Sequence, residues 1–368
     1  MLKSSLIVIS LFCFFSCSQK SGNQPTKQII ELGSILENSP DDHVYKDIRY
    51  VKLETNPDIL LGDNLYFQKR EDKLYILDRA HQKSLLIFNI DGKFVKKVGV
   101  SGNGPGEYPA ANDLVLRNDT IDILSNAGPK STIYSYSEKG DFIRKKELNY
   151  LALSFEFVHN QYYAVNTSFN KMMHDHRLYL LDREGNEIKK LLPNNTKINM
   201  SIGEQSFSLY EDQVLYFEPF NNKIYELQPD TIIPVYELDF GKYNIPEEFF
   251  NTDIMQGFEM INKQGFSLIK NVFANNENVV FEVVNQNESG GKLFLINYNK
   301  KSKQIKSLAL NEDNFIFRYP IGLNDKNEMM YLVFPMGEVN QDFKKFGLNL
   351  NVTNFSESDN PILVFCKI

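Results

Sequence analysis

The chain has 368 residues, of which 40 are lysine or arginine and 47 are aspartate or glutamate, so its net charge is −7 at neutral pH. This acidic balance argues against a protein that binds nucleic acid. Tryptophan is absent, whereas phenylalanine and tyrosine are abundant, with 28 and 19 residues. The chain contains only three cysteines, so we expect burial of apolar side chains to stabilise the fold, and the chain is long enough for that.

The first 17 residues have the pattern of an export signal. Lys3 carries a positive charge, Leu6–Phe15 is an apolar stretch too short to span a bilayer, and Ser16 is a small residue directly before Cys17. A small residue followed by cysteine resembles the lipobox of bacterial lipoproteins, which implies that Cys17 is acylated and becomes the first residue of the mature protein. The competing Cys13 follows a bulky phenylalanine. An ordinary secretory signal with a chance cysteine is the alternative.

Residues 18–45 are expected to form a tether, and residues 46–368 are expected to form one domain. Ser18–Gln28 is polar and contains glycine and proline, which is typical of a flexible linker. The stretch after Cys17 lacks the acidic run associated with surface display of lipoproteins, so we expect an outer-membrane lipoprotein that faces the periplasm. If Cys17 is lipidated, Cys366 is the only other cysteine of the mature chain, and no intramolecular disulfide is expected.

From residue 65 onward, the chain repeats a unit of four short strands. Five times, an apolar strand is followed by a polar loop, a basic residue and a second apolar strand, and a sixth, looser copy begins at Met329. The first unit is predicted to have strands at Leu65–Lys69, Lys73–Asp78, Ser84–Ile90 and Lys93–Gly99. A repeat of roughly 40–50 residues built from four strands predicts a β-propeller. The predicted fold is therefore all-β, a six-bladed β-propeller with four-stranded blades, and a β-sandwich is the alternative.

Three stretches of the sequence resemble known propeller families. They are YVKLET at Tyr50–Thr55, VGVSGNGPGEY at Val98–Tyr108, and NPILVFCKI at Asn360–Ile368. The GNGPGEY segment before a strand resembles the NHL group of six-bladed propellers. The three stretches together resemble the six-bladed propeller lipoproteins that are abundant in Bacteroides-type bacteria. This resemblance covers nearly the whole mature chain and implies the fold and the lineage, but it implies no activity.

The segment Gly241–Gly265 is predicted to be a short helical insertion between blades four and five. Pro246 lies where a helix would start, Glu247 and Glu248 follow in its first turn, and apolar residues recur near helical spacing. Such helices could cover the face of the propeller as a lid or as a docking site for a partner. They could equally be a plug that covers exposed blade edges.

The last unit lacks a fourth strand, because the chain ends after the third. A spare strand of alternating pattern lies near the other terminus, at Ile48–Thr55. We expect it to supply the missing outer strand of blade six. This arrangement would join both ends of the domain in one sheet and close the ring.

A basic residue opens the third strand in five units, and symmetry would place these residues as a ring on one face of the propeller. The ring would attract an anionic ligand electrostatically. Alternatively, each cation pairs with an acidic group of its own blade, as Asp78 could with Lys83. Tyr108 and Arg318 complete the predicted ligand-binding set on this loop face. The five basic residues are Lys83, Lys130, Arg177, Lys223 and Lys292.

Chemical motifs are otherwise few. His174 and His176 are the weak candidates for metal ligands, although adjacent loop residues rarely converge on one ion without help. Asp113, Glu156 and Arg318 lie on predicted inner strands but appear too scattered in the sequence for assigned roles. The chain contains no G-x-S-x-G, H-E-x-x-H or C-x-x-C motif.

These observations predict a binding module without a cofactor rather than an enzyme. Its expected partners are the membrane, through the lipid on Cys17, and an anionic glycan, a peptide or a partner protein. No nucleic acid is expected, and we expect a monomer. The alternative is a metal-assisted hydrolase, lactonase or lyase with its site at the mouth of the propeller channel.

Overall fold

The structure, a computed structural model, describes residues 27–38, 46–203, 205–311, 317–335 and 356–368. Strands dominate the described residues. Three short α-helices are present there: α1 (Gly33–Asn38), α2 (Glu247–Phe250) and α3 (Ile254–Gln264). The strands are, in chain order, β1 (Gln28–Glu31), β2 (Lys46–Lys52), β3 (Leu65–Arg70), β4 (Lys73–Asp78), β5 (Ser84–Asn89), β6 (Phe94–Val98), β7 (Asp113–Arg117), β8 (Thr120–Ser125), β9 (Thr132–Ser137), β10 (Phe142–Glu147), β11 (Ser154–Val158), β12 (Tyr162–Asn166), β13 (His176–Leu181), β14 (Glu187–Pro193), β15 (Phe207–Tyr210), β16 (Gln213–Tyr216), β17 (Lys223–Leu227), β18 (Ile232–Asp239), β19 (Phe266–Ala274), β20 (Asn278–Asn287), β21 (Gly290–Asn299), β22 (Ile305–Ala309), β23 (Pro320–Leu323), β24 (Glu328–Val333) and β25 (Ile362–Lys367).

The strands form six sheets, which are the six predicted blades. Blades one to five contain β3–β6, β7–β10, β11–β14, β15–β18 and β19–β22, and blade six contains β23, β24, β25 and β2. Neighbouring strands of each blade pair in antiparallel fashion, as β3, β4 and β5 do in blade one. We call the four strands of a blade A to D from the centre outward. The A–B and C–D turns then lie on one face, the turn face, and the B–C and D–A loops lie on the other, the loop face.

The A strands surround the central axis and close the ring. β3, β7, β11, β15, β19 and β23 each contact the next A strand in this order, and β23 contacts β3. With six blades, β3 and β15 therefore lie on opposite sides of the central channel. The six-bladed propeller predicted from the repeats is confirmed.

Apolar clusters fill the spaces between neighbouring blades. Between blades one and two, Leu77 and Ile87 pack with Leu114 and Ile123, and equivalent clusters lie at the other five junctions. The middle strands are consequently buried on both faces, which explains their nearly continuous apolar sequence. A fully buried side chain of this size contributes about 1.5–3 kcal/mol, so the blade junctions hold most of the stabilising burial.

The predicted closure by the N-terminal strand is confirmed. β2 pairs antiparallel with β25, with Tyr50 opposite Val364. The side chain of Asn360, which is 2% exposed, strengthens this junction. Its oxygen accepts a hydrogen bond from the N–H of Leu61 (2.8 Å), and its Nδ2 donates to the carbonyl oxygens of Glu54 (2.8 Å) and Ile59 (2.9 Å). The two ends of the domain are thus joined by side chains as well as by a strand pair.

Residues 28–38 fold against blade four, which differs from the tether predicted over residues 18–45. β1 pairs in parallel with β18, and the N–H of Leu32 donates to the carbonyl oxygen of Asp239 at 2.7 Å. Ile30, Leu32 and Leu36 are buried in the cluster between blades four and five. Burial of these three side chains against an available sheet edge explains why the segment is ordered.

The helical insertion between blades four and five is confirmed. Asp253 caps the start of α3, because its carboxylate accepts a hydrogen bond from the N–H of Met255 at 2.9 Å. Phe249 and Ile261 are fully buried, whereas Met255 is 75% exposed. The insertion therefore packs on the loop face through one apolar side. Within the described residues, no helix is long and apolar enough to cross a membrane.

Candidate functional site

The five basic residues of the predicted ring lie in different surroundings. Lys83 and Lys130 are exposed, and Lys223 is half-buried. The side chain of Arg177 is only 13% exposed. The ammonium of the exposed Lys292 lies 5.5 Å from the ring centre of Phe294. Of these five, Arg177 and Lys223 line the same cleft.

These cations were predicted to pair with acidic groups of their own blades. Lys130 does so, whereas Lys83 and Arg177 do not. Lys130 pairs with Glu147 of its own blade, with 3.5 Å between Nζ and Oε1. Asp78 does not pair with Lys83, because its buried carboxylate accepts hydrogen bonds from the backbone N–H groups of Gly62, Ala80 and His81 at 2.8–3.0 Å. Arg177 pairs with an acid of the next blade. The basic residue recurs at the same place in the repeat, but its exposure and its local partners differ from blade to blade.

Tyr108 lies in the core, which corrects its prediction as a ligand-binding residue. Its side chain is fully buried between blades one and two, and its hydroxyl donates to the carbonyl oxygen of Val98 at 3.4 Å. The glycine-rich segment makes room for this ring: a Cβ on Gly99, whose φ is +69°, would lie 2.5 Å from it. Arg318, by contrast, is exposed just before β23.

The two candidate metal ligands do not face one another. His174 is buried, and its Nε2 accepts a hydrogen bond from the N–H of Leu151 at 3.3 Å. Burial lowers the pKa of His174, which favours the neutral ring. His176 turns its Nδ1 to the carboxylate of Asp175 at 3.1 Å. Among the described residues, no group of three or more His, Cys, Asp or Glu side chains could hold a metal ion.

The loop-face cleft has a volume of about 380 Å³ and lies between the B–C loops of blades three and four and helix α2. Its floor is a buried ion pair. Nε of Arg177 lies 2.9 Å and 3.2 Å from the two carboxylate oxygens of Glu218, which is 1% exposed. Tyr216 and Asn221 also donate hydrogen bonds to this carboxylate, at 3.2 Å and 2.9 Å. The two floor charges therefore compensate one another.

Aromatic rings form the walls of this loop-face cleft. Phe169 and Phe250 stack with ring centres 6.2 Å apart, and Phe220 stacks on Phe249 at 5.2 Å. The guanidinium of Arg177 lies 4.9 Å from the ring centre of Phe169. Phe220 has a φ of +62°, a conformation that is costly for a bulky residue and that concentrates at ligand-binding sites. The helical insertion thus provides one wall of the cleft.

A hydrogen bond spans the central channel near the loop face. Nε2 of Gln205, which precedes β15, donates to the hydroxyl oxygen of Tyr66 on β3 at 3.0 Å. Because β3 and β15 lie on opposite sides of the ring, this contact crosses the channel. Gln68, two residues along β3, donates to the same hydroxyl at 3.0 Å and to the carbonyl oxygen of Leu114 at 2.8 Å.

Two buried carboxyl groups lie beside Tyr66 on the next inner strands. Asp113 on β7 accepts hydrogen bonds from the N–H groups of Leu114 and Phe155, both at 2.9 Å. Burial raises the pKa of Asp113 to about 6. Burial, reinforced by the charge of Asp113, raises the pKa of Glu156 on β11 to about 8. Glu156 therefore holds its proton at neutral pH.

A buried ion pair lies in the loop-side half of the channel. Nζ of Lys270 lies 2.8 Å from Oε1 of the fully buried Glu282, and Asn271 donates to Oε2 at 2.6 Å. These residues line a cavity of about 190 Å³ with Asp63 and others. The charges of Lys270 and Glu282 compensate one another, as those of Arg177 and Glu218 do in the loop-face cleft.

Only some of the residues in this channel could be predicted from the sequence. Asp113 and Glu156 were predicted on inner strands, and the structure brings them together, but Arg318 does not join them. Tyr66 and Gln68 were missed, although their spacing of two on β3 places them on one face of the strand. No pattern indicated Gln205, because it reaches the channel from a loop.

The ring of six blades with a channel and a loop-face cleft defines the molecule as a six-bladed β-propeller. Residues 28–367 match the family described as "Domain of unknown function (DUF4934)", and the chain belongs to this family. No curated protein matches the chain.

Two solved structures are similar to the whole propeller. One, from Bacteroides fragilis and described as a "Putative exported protein", is 18% identical, with a TM-score of 0.73 over 93% of this chain and 99% of that one. The other, a member of the DUF4221 family from Bacteroides vulgatus, is 14% identical, with a TM-score of 0.51 over 88% of this chain and 96% of that one. Both agree with the resemblance to Bacteroides-type propellers. The likeness to the NHL group stays a prediction.

Proposed function

We propose that the protein is an exported binding module that holds a glycan chain in the loop-face cleft. The observation that carries this proposal is the buried Arg177–Glu218 pair beneath aromatic walls. Small-molecule sites are typically concave, with aromatic or apolar walls and a few polar groups that fix orientation. The apolar faces of sugar rings suit Phe220 and Phe250, while hydroxyl groups suit the amide of Asn222, which also lines the cleft.

The pairing of Arg177 favours an uncharged glycan over the anionic ligand that the basic ring suggested. Glu218 compensates the charge of Arg177 at 2.9 Å, so little net positive potential remains on the floor. Lys223 is the remaining cation of the ring in this cleft. A single half-buried lysine gives weak, salt-sensitive attraction. Hydrogen bonding and contact with the rings would then dominate binding.

Export is the second part of the proposal. The predicted signal at residues 1–17 supports it, as does the description of the similar Bacteroides fragilis structure. We further propose that Cys17 carries the lipid of an outer-membrane lipoprotein. Residues 1–26 lie outside the described residues, so this part of the proposal rests on the sequence pattern.

Isothermal titration calorimetry with the mature chain tests the glycan site. The probes are uncharged oligosaccharides and oligosaccharides of the same length that contain uronic acids. We expect uncharged chains to bind, and we expect Asn222→Ala to weaken binding by up to about tenfold, the contribution of one lost hydrogen bond. Lys83→Gln is the matched control, because it removes an exposed lysine from the B–C loop of another blade.

Two outcomes would contradict the proposal. One is that neither set of oligosaccharides binds. The other is that only uronic-acid chains bind and that Lys223→Gln or added salt abolishes binding, which would identify an anionic ligand. The rival function, a metal-assisted hydrolase, lactonase or lyase, is tested by metal analysis of the purified protein together with activity on lactones and uronic-acid glycans.

A further inference from the structure

The central channel contains a cavity that is separate from the loop-face cleft. It has a volume of about 440 Å³, within the usual range for sites that bind small molecules. All six inner strands contribute to its lining. One lining residue from each strand, in chain order, is Tyr66, Leu116, Glu156, Phe207, Asn271 and Ile321.

The hydroxyl group of Tyr66 has an unused hydrogen-bond donor. A hydroxyl can accept two hydrogen bonds and donate one. Gln68 and Gln205 occupy both acceptor positions, each at 3.0 Å, and the further bond from Gln68 to the carbonyl of Leu114 fixes the direction of its amide. Among the described residues, the hydroxyl donates to none. Tyr66 is 7% exposed, so its proton needs an acceptor inside the channel.

Glu156 offers a second donor in the same cavity. Its Oε1 accepts a hydrogen bond from the N–H of Phe157 at 2.8 Å. Within the described part of the chain, Oε2 has no hydrogen-bond partner, although the residue is 4% exposed. Burial keeps this carboxyl protonated at neutral pH, so Oε2 can donate a hydrogen bond rather than carry a charge.

We propose that the channel holds a second binding site, for a small uncharged molecule that presents hydroxyl or carbonyl oxygens to Tyr66 and Glu156, such as a monosaccharide or a polyol. The walls support this class of ligand, because Phe67, Phe207 and Phe273 provide apolar surface around the two donors. The neutral carboxyl of Glu156 itself carries no charge that could compensate that of an ionic ligand. This site is independent of the glycan site in the loop-face cleft.

The ligand enters from the turn face. On the loop side, the hydrogen bond between Gln205 and Tyr66 crosses the channel. On the turn side, the cavity reaches the A–B turns, where Glu71, Glu211 and Asp325 line its mouth. The channel site and the loop-face cleft therefore open to opposite faces of the propeller, and substitutions in one leave the other intact.

Saturation-transfer NMR with the full mature chain tests the channel site. The probes are glucose, galactose and myo-inositol, with glucuronate and galacturonate as charged counterparts. We expect an uncharged probe to bind and Tyr66→Phe to weaken its binding about tenfold, since the substitution removes one hydroxyl. Glu156→Gln should retain binding, because an amide also donates a hydrogen bond. Tyr108→Phe is the matched control, because it removes a buried hydroxyl of a residue that does not line this cavity.

A second variant keeps the test informative if Tyr66→Phe folds poorly. Ser208 lies on β15 and lines the cavity, so Ser208→Phe should fill it and abolish binding of the probe while all donors remain. The proposal is overturned if no uncharged probe binds, if the uronates bind better, or if binding survives in both Tyr66→Phe and Ser208→Phe. Because the loop-face variant Asn222→Ala should not affect these probes, failure here is distinguishable from failure of the glycan site.

Discussion

The protonated carboxyl of Glu156 makes stability depend on pH. Burial raises its pKa from 4.5 to about 8, so the folded protein binds more protons than the unfolded chain between these values. The free energy of unfolding should therefore fall as pH rises through this window. Each pKa unit corresponds to about 1.4 kcal/mol, so the loss is on the order of a few kcal/mol. The pKa of Asp113 is raised from 3.8 to about 6. Its titration therefore lowers the free energy of unfolding further in the lower part of this pH window.

Thermal unfolding of Glu156→Gln across this pH range checks the prediction. The variant should lose less stability as pH rises than the unaltered protein, because its amide does not titrate. Glu247→Gln, which changes an exposed carboxylate on α2, should leave the pH dependence unchanged. If Glu156→Gln and the unaltered protein show the same pH dependence, the proton is not held on Glu156.

Single residues were the hardest part of the site to predict from the sequence. The alternation of a strand shows which residues share a face, but it does not show whether that face meets the channel or another blade. Tyr66 and Tyr108 illustrate the difference. Both belong to the apolar cluster between blades one and two, yet Tyr66 also lines the channel cavity, whereas Tyr108 is fully buried. The surroundings that separate them come from segments far away in the sequence.

At the level of elements, the N-terminal strand should be essential for a closed ring. Deletion of residues 48–55 removes most of β2 and leaves β25 with an unpaired edge, which promotes edge-to-edge aggregation. The deletion also removes the carbonyl group of Glu54 that Asn360 binds. We expect lower thermal stability and aggregates in size-exclusion chromatography.

Deletion of residues 27–38 is the matched control for this prediction. It also removes an edge strand, β1, but the six blades stay joined, since β1 is a fifth strand added to the four of blade four. Its effect on thermal stability should be smaller. The role of closure would be refuted if the 48–55 deletion stayed monomeric and unfolded at an unchanged temperature.

The repeated elements could be predicted from the sequence, whereas the unique ones could be predicted only in part. Six copies of a strand pattern reinforce one another, and the missing strand of blade six pointed to its replacement at the N-terminus. The segment Gln28–Asn38 has no counterpart in other blades. Its apolar residues are too few to show the periodicity of a helix or a strand. Its order comes from docking on blade four. The insertion was recognised because Pro246, Glu247 and Glu248 mark the start of a helix and apolar residues recur near helical spacing.

At the scale of the whole molecule, charge is distributed in local pairs rather than as one field. The net charge is −7, yet the buried charges of the loop-face cleft and of the loop-side channel are compensated within about 3 Å. Paired charges fix the position of side chains without attracting ions over a distance. Of the five basic residues of the predicted ring, Lys130 and Arg177 are paired in this way, with Glu147 and Glu218.

The fold also sets how an anchored molecule would lie on the membrane. β1 starts at Gln28 on the outer edge of blade four, and 10 residues lie between it and a lipid on Cys17. A chain of that length reaches at most about 40 Å. Blade four would therefore stay near the membrane, with the propeller body held beside its anchor.

Fractionation of cells that express Cys17→Ala tests this anchoring. We expect the variant to leave the membrane fraction and to appear with soluble envelope proteins, because it lacks the residue proposed to carry the lipid. Cys13→Ala is the matched control, since it removes the competing cysteine of the same signal and should leave the protein in the membrane fraction. A Cys17→Ala protein still found wholly in the membrane fraction would contradict the proposed lipid anchor.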